Sequence, residues 1–136
     1  MPVRKASYVD LKVPNRAGNA TQILAALSEA GVNLHAFTGF PDKGGKSQVD
    51  LVTSDLSGVR RVARQQGWRI GKAKKCFLIQ GRDRVGAVHR HLKKLADQRI
   101  NMTAVDAVAA GKGQFGMILW VKPKDYARAG RALGAR

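Results

Sequence analysis

Near the start of the chain the apolar positions change period twice. Val9, Leu11 and Val13 alternate with Tyr8, Asp10 and Lys12, the period of a strand with one buried face. Pro14–Gly18 reads as a turn. Ala20, Ile23, Leu24, Leu27 and Ala30 then follow helical spacing, with Gly31 as the C-terminal stop. Val32–Phe40 predicts a second strand, the segment PDKGGKS a hairpin, and Gln48–Thr53 a third strand. A second helix is expected over Leu56–Gln66, with Leu56, Val59, Val62 and Ala63 on one face, and Trp68–Ala73 offers a fourth strand. The order β-α-β-β-α-β is the ferredoxin-like, or split βαβ, unit.

The unit occurs twice. Shifted by 68 residues, Arg16, Gly18, Leu24, Leu27, Asn33 and Ala36 fall on Arg84, Gly86, Leu92, Leu95, Asn101 and Ala104. Conservative pairs fill the gaps, among them Leu11 with Ile79, Val32 with Ile100 and Leu51 with Leu119. The second copy predicts strands at Cys76–Gln80, Ile100–Val108 and Gln114–Val121, and helices at Ala87–Gln98 and Asp125–Leu133. A fourth strand at the same spacing would begin at Arg136, so this copy is expected to lack its last strand. That leaves the edge of Cys76–Gln80 to be covered by a neighbouring segment or by a second chain. The expected class is α+β: two ferredoxin-like repeats, 1–74 and 75–136, with antiparallel sheets and helices on one face.

Composition narrows the function classes. The 136 residues carry 25 Lys and Arg against 9 Asp and Glu, a net charge of +16, which favours polyanionic partners without identifying one. Cys76 is the only cysteine and lies among Phe77, Leu78 and Ile79, so a buried, inert thiol is expected. No apolar run approaches the roughly 20 residues of a membrane span, and MPVRKAS lacks the apolar core of a signal peptide, so a cytoplasmic protein is the expectation.

Several apparent motifs fail on context. Gly45-Lys46-Ser47 ends like a phosphate-binding loop, but Phe40 stands where that loop needs glycine, and a strand follows instead of a helix. His89 and His91 lie about 200° apart around a helix and cannot share a metal. Neither a paired nucleophile nor paired carboxylates stand out, so no enzyme chemistry, metal or cofactor is expected. RNA recognition shares this element order, and KGQFGMILW superficially resembles its strand-three signature. Gln114 and Gly116 occupy the two aromatic places, however, and Phe77 aligns with core-facing Val9.

The features present in both copies are more telling. In VPNRAGNATQILAALSEAGVNL and GRDRVGAVHRHLKKLADQRINM, a strand ends in a loop carrying Arg and then Gly. A helix follows, and then a hydrophobic-Asn-hydrophobic triplet. Glycine in the first turn lets a ligand approach the backbone, free N–H groups at the helix start favour a carboxylate, and asparagine offers both donor and acceptor. These stretches resemble the ACT domain, a small regulatory module of amino-acid metabolism, here as a tandem pair over nearly the whole chain.

The resemblance implies a non-enzymatic regulatory protein that binds an amino acid or similar small carboxylate where two domains or subunits meet. It points to Asn15, Arg16, Ala17, Gly18 and Asn33, and to Asp83, Arg84, Val85, Gly86 and Asn101. Strand edges such as His35–Phe37 and Thr103–Val105 are expected to contribute. Asn15 replaces the family's usual acid, Ala17 and Val85 stand where Pro is common, and Arg82 makes the second loop more cationic. A homodimer and a regulated enzyme partner acting in trans are expected, without a membrane. The alternatives are a nucleic-acid-binding module using Arg60, Arg61, Arg64, Arg90 and Lys93, which the charge allows but the strands disfavour, and a structural subunit of a larger enzyme.

Overall fold

A computed structural model describes residues 3–136. The chain runs β1 (Val3–Pro14), α1 (Asn19–Glu29), β2 (Ala36–Pro41), β3 (Lys46–Val52), α2 (Leu56–Gln66), β4 (Lys74–Arg82), α3 (Ala87–Asp97), β5 (Met102–Gly111), β6 (Gln114–Val121) and α4 (Tyr126–Leu133). A 3-10 turn at Pro123–Asp125 leads into α4. Ser7–Lys74 forms one compact unit, and residues 3–6 with Lys75–Arg136 form the other.

In the first unit the strand order is β2-β3-β1. Val9 stands opposite Leu51 and Leu11 opposite Val49, and all four are at most 3% exposed. They meet Ile23 and Leu27 of α1 and Val59 and Val62 of α2 in one apolar cluster, so both helices cover the same face. Asp55 caps α2 by accepting from the Gly58 N–H at 3.0 Å, satisfying a helix-start donor.

The second unit repeats this pairing at the same offset. Phe77 stands opposite Leu119 and Ile79 opposite Met117. Val105 faces Leu119 as Phe37 faces Leu51 in the first unit. The repeat therefore extends from residue types to strand register, which a single slip would destroy by reversing the buried face. Here the core joins Phe77, Ile79, Leu95, Leu119, Ala129 and Leu133. Tyr126 stacks on Phe77 with ring centroids 4.4 Å apart, and its hydroxyl donates to the Cys76 carbonyl at 2.8 Å.

Among the described residues no strand follows α4. Residues 3–6 of β1 take the place beside β4, and Val3, 3% exposed, enters the core of this unit. The Lys5 N–H donates to the Arg136 carbonyl and the Arg136 N–H to the Val3 carbonyl, both at 2.9 Å. A neighbouring segment thus covers the edge that the sequence leaves open.

Three expectations are corrected. Trp68–Ala73 contracts to a single bridge between Ile70 and Leu11. It is held by the Gly71 N–H donating to the Asp10 carbonyl, where a Cβ on residue 71 would lie 2.2 Å from Asp10 Oδ1. The second strand of each repeat begins later than Val32 or Ile100. The Val32 and Ile100 N–H groups instead close the preceding helices on the Leu27 and Leu95 carbonyls, at 2.9 and 3.0 Å. Leu24, expected on the buried face of α1, is 39% exposed, because Ile23 and Leu27 carry that contact one turn apart.

Candidate functional site

The two strand-to-helix turns share one backbone frame. The Asn15 N–H donates to the Gly45 carbonyl and the Asp83 N–H to the Gly113 carbonyl, each at 2.8 Å, tying each loop to the hairpin beside it. Gly18 and Gly86 precede α1 and α3 with φ of 89° and 82°, a left-handed conformation that penalises a side chain. The Asn19 and Ala87 N–H groups donate to the Arg16 and Arg84 carbonyls, but neither helix start has a side-chain cap or an acid in its first turn to offset the positive end of its dipole.

In the first unit Asn15 and Arg16 open onto a cavity of about 270 Å³. Its walls are largely apolar, with Val13, Phe37, Phe40 and Val49, and its polar groups include Asn19 and Ser47. The Asn19 side chain donates to the Pro14 carbonyl, which ties the start of α1 to the end of β1. The arrangement offers one guanidinium and neutral amides at the mouth of an apolar pocket. Such a lining pairs a carboxylate-binding group with a surface that suits a hydrocarbon side chain.

Asn33 is placed elsewhere. It lines a separate groove of about 400 Å³ with Leu24, Val32 and Leu34. Thr53, 2% exposed, fixes it through the backbone, donating to the Asn33 carbonyl at 2.7 Å while accepting from the Asp55 N–H at 3.0 Å. Ala17 and Gly18 are exposed and line neither hollow.

In the second unit Arg82 and Arg84 face a cavity of about 390 Å³ whose other walls are Gly81, Ala87, Arg90, His91, Lys94 and Phe115. Asp83, Val85, Gly86 and Asn101 are exposed and do not line it. His91 tilts against Phe115 with ring centroids 6.2 Å apart. Burial first, then the Lys94 and Arg90 charges, push the His91 pKa below its ordinary value, which favours the neutral ring. Arg82, His91, Lys94 and Phe115 were outside the predicted site, and Arg90 was assigned only to the nucleic-acid alternative. Phe77 and Phe115 are 0% and 5% exposed, so neither ring presents a face to a base.

No protein-family model matches the sequence, and neither does any curated protein. Among solved structures, the chain is similar to protein BT0572 from Bacteroides thetaiotaomicron: TM-score 0.81 at 14% identity, over 97% of this chain and 88% of that one. It is also similar to the structure of aspartokinase alpha and beta subunits, with TM-score 0.64 at 17% identity over 98% and 95%. The ligand-free regulatory subunit of aspartate kinase from Thermus thermophilus gives 0.63 at 16% identity over 98% and 95%. The likeness is one of fold. It makes this an α+β chain with the ACT-like fold, built from ferredoxin-type repeats.

Proposed function

We propose that this chain is a non-enzymatic regulatory protein of the tandem ACT type that binds an amino acid or a similar small carboxylate. The observation that carries this reading is the cavity at the first strand-to-helix turn. Arg16 meets the carboxylate there, Asn15 and Asn19 supply amide donors and acceptors, and Phe37, Phe40 and Val49 surround an apolar side chain. Its volume of about 270 Å³ lies just below the range typical of ligand pockets, which suits a ligand as small as a free amino acid. The fold shared with a kinase regulatory subunit supports a role in which ligand occupancy is read by an enzyme partner in trans.

Thermal melting against a panel of free amino acids tests the reading. One or a few amino acids should raise the midpoint, since ligand at a hundred times Kd adds about 2.7 kcal/mol. In a protein of this size that is a rise of several degrees. Arg16→Gln should abolish the rise without lowering the unliganded midpoint, because Arg16 is exposed. An unchanged midpoint across the whole panel at millimolar concentration would overturn the assignment.

A further inference from the structure

The repeat acts as an internal control on the cavity of the second unit. Arg82, Arg84, Arg90 and Lys94 line it, and a shift of 68 places them on Pro14, Arg16, Gln22 and Ala26. The same frame thus carries one cation in the first unit and four in the second. Gathering like charges around one hollow costs stability unless something negative sits among them. Among the described residues none of the four makes an ion pair. None of this unit's four acids lines the cavity: Asp97 holds Lys93 at 2.8 Å, Asp125 holds Arg128 at 3.3 Å, and Asp83 and Asp106 lie outside the lining.

The lining also suits the ligand proposed for the first unit less well, since it lacks the asparagine and serine oxygens found there. A zwitterionic amino acid needs an acceptor for its ammonium group as well as donors for its carboxylate. Among the described residues no carboxylate lines this cavity. The one side-chain nitrogen there able to accept is on His91, whose Nδ1 is buried and has no partner among the described residues. A phosphoryl group matches better, because its several oxygens share up to two negative charges among four cations and it needs no acceptor for an ammonium group. The remaining wall is Phe115, whose ring lies over Gly81. A Cβ on residue 81 would lie 2.7 Å from Phe115 Cε1, so glycine is what admits the ring.

We propose that this cavity binds the phosphoryl group of a small phosphorylated molecule, held by Arg82, Arg84, Arg90 and Lys94, with His91 and Phe115 against its organic part. The site is independent of the amino-acid reading of the first unit, which rests on different residues.

Calorimetric titration of the full chain with inorganic phosphate and with a simple sugar phosphate, at fixed ionic strength, tests it. Saturable one-to-one binding is expected; tighter binding of the ester identifies a phosphorylated metabolite, and equal affinity identifies free phosphate. Arg90→Gln and Lys94→Gln, both at exposed helix positions, should each weaken binding by about tenfold or more. Lys94→Arg should restore it. The amino-acid response of the first unit should persist in all three variants, so the two readings fail separately. Phosphate binding that is absent, or unchanged in both glutamine variants, would overturn the proposal. So would a single-stranded RNA that displaces phosphate with higher affinity and a steep salt dependence, since that reassigns the cavity to a nucleic-acid backbone.

Discussion

Two residues at related positions show how far the copies have diverged in backbone chemistry. Gly31 follows α1 with φ of 73°, and Arg99, its counterpart after α3, is forced to φ of 56°. The left-handed region costs a residue with a Cβ about 1 kcal/mol or more, and glycine returns part of that gain through its freer unfolded chain. Arg99 is exposed, so its replacement removes no packing. Arg99→Gly should therefore stabilise the protein by about 0.5 kcal/mol, read as a higher urea midpoint with an unchanged slope. The same contrast between shared and divergent residues explains how legible the sites were. Asn15, Arg16 and Arg84 were expected because both copies carry the loop pattern, and each lines a hollow, which is as far as the geometry goes. Arg82, Arg90, His91 and Lys94 escaped because a repeat search highlights what the copies share, whereas these residues are where they differ. Asn33 and Asn101 are shared, yet the helix closures by Val32 and Ile100 carry their segments to other places.

At the scale of elements, boundaries were legible where one periodicity runs unbroken to a strong stop. Leu56–Gln66 and Gln114–Val121 were predicted and are observed with the same limits. Legibility failed where a backbone hydrogen bond overrides side-chain pattern, as at the starts of β2 and β5, and where a distant segment completes a sheet. Nothing in the polar-rich start of β1 distinguishes residues serving one unit from residues serving the other; only Val3 in a foreign core reveals it. The docking of α4 is another long-range arrangement that periodicity cannot show. Tyr126 anchors that helix through its ring on Phe77 and its hydroxyl on the Cys76 carbonyl, and burial pushes its pKa up to about 12. Tyr126→Phe keeps the stack and leaves a buried carbonyl short of this donor. It should cost about 1–2 kcal/mol in chemical denaturation, whereas Tyr126→Ala, which also opens a cavity, should cost about 3 kcal/mol or more.

For the whole molecule the decisive features are a charge of +16 and a long edge strand. β5 ends its sheet and is exposed along nearly all of Met102–Gly111, with Val108 67% exposed in a stretch rich in alanine. Between register shifts near its two ends, such an edge presents unpaired N–H and C=O groups, with Asp106 as its single charge and no proline or lysine to block pairing. We propose that the expected homodimer forms by antiparallel pairing of this edge with a second copy of the chain, which needs only a two-fold axis. The charge opposes it: two copies of net +16 repel at long range, and salt screens that repulsion over about 10 Å at 0.1 M. The dimer should therefore tighten as salt rises, the opposite of the trend for binding a polyanion. Val108→Lys adds like charge at the strand, and directly opposed like charges destabilise a sheet pair. Light scattering should show a wild-type dimer that dissociates more readily at low salt and a Val108→Lys chain that stays monomeric throughout. A wild-type monomer at high salt and high concentration would remove β5 as the pairing edge, while leaving both ligand cavities to be judged by their own titrations.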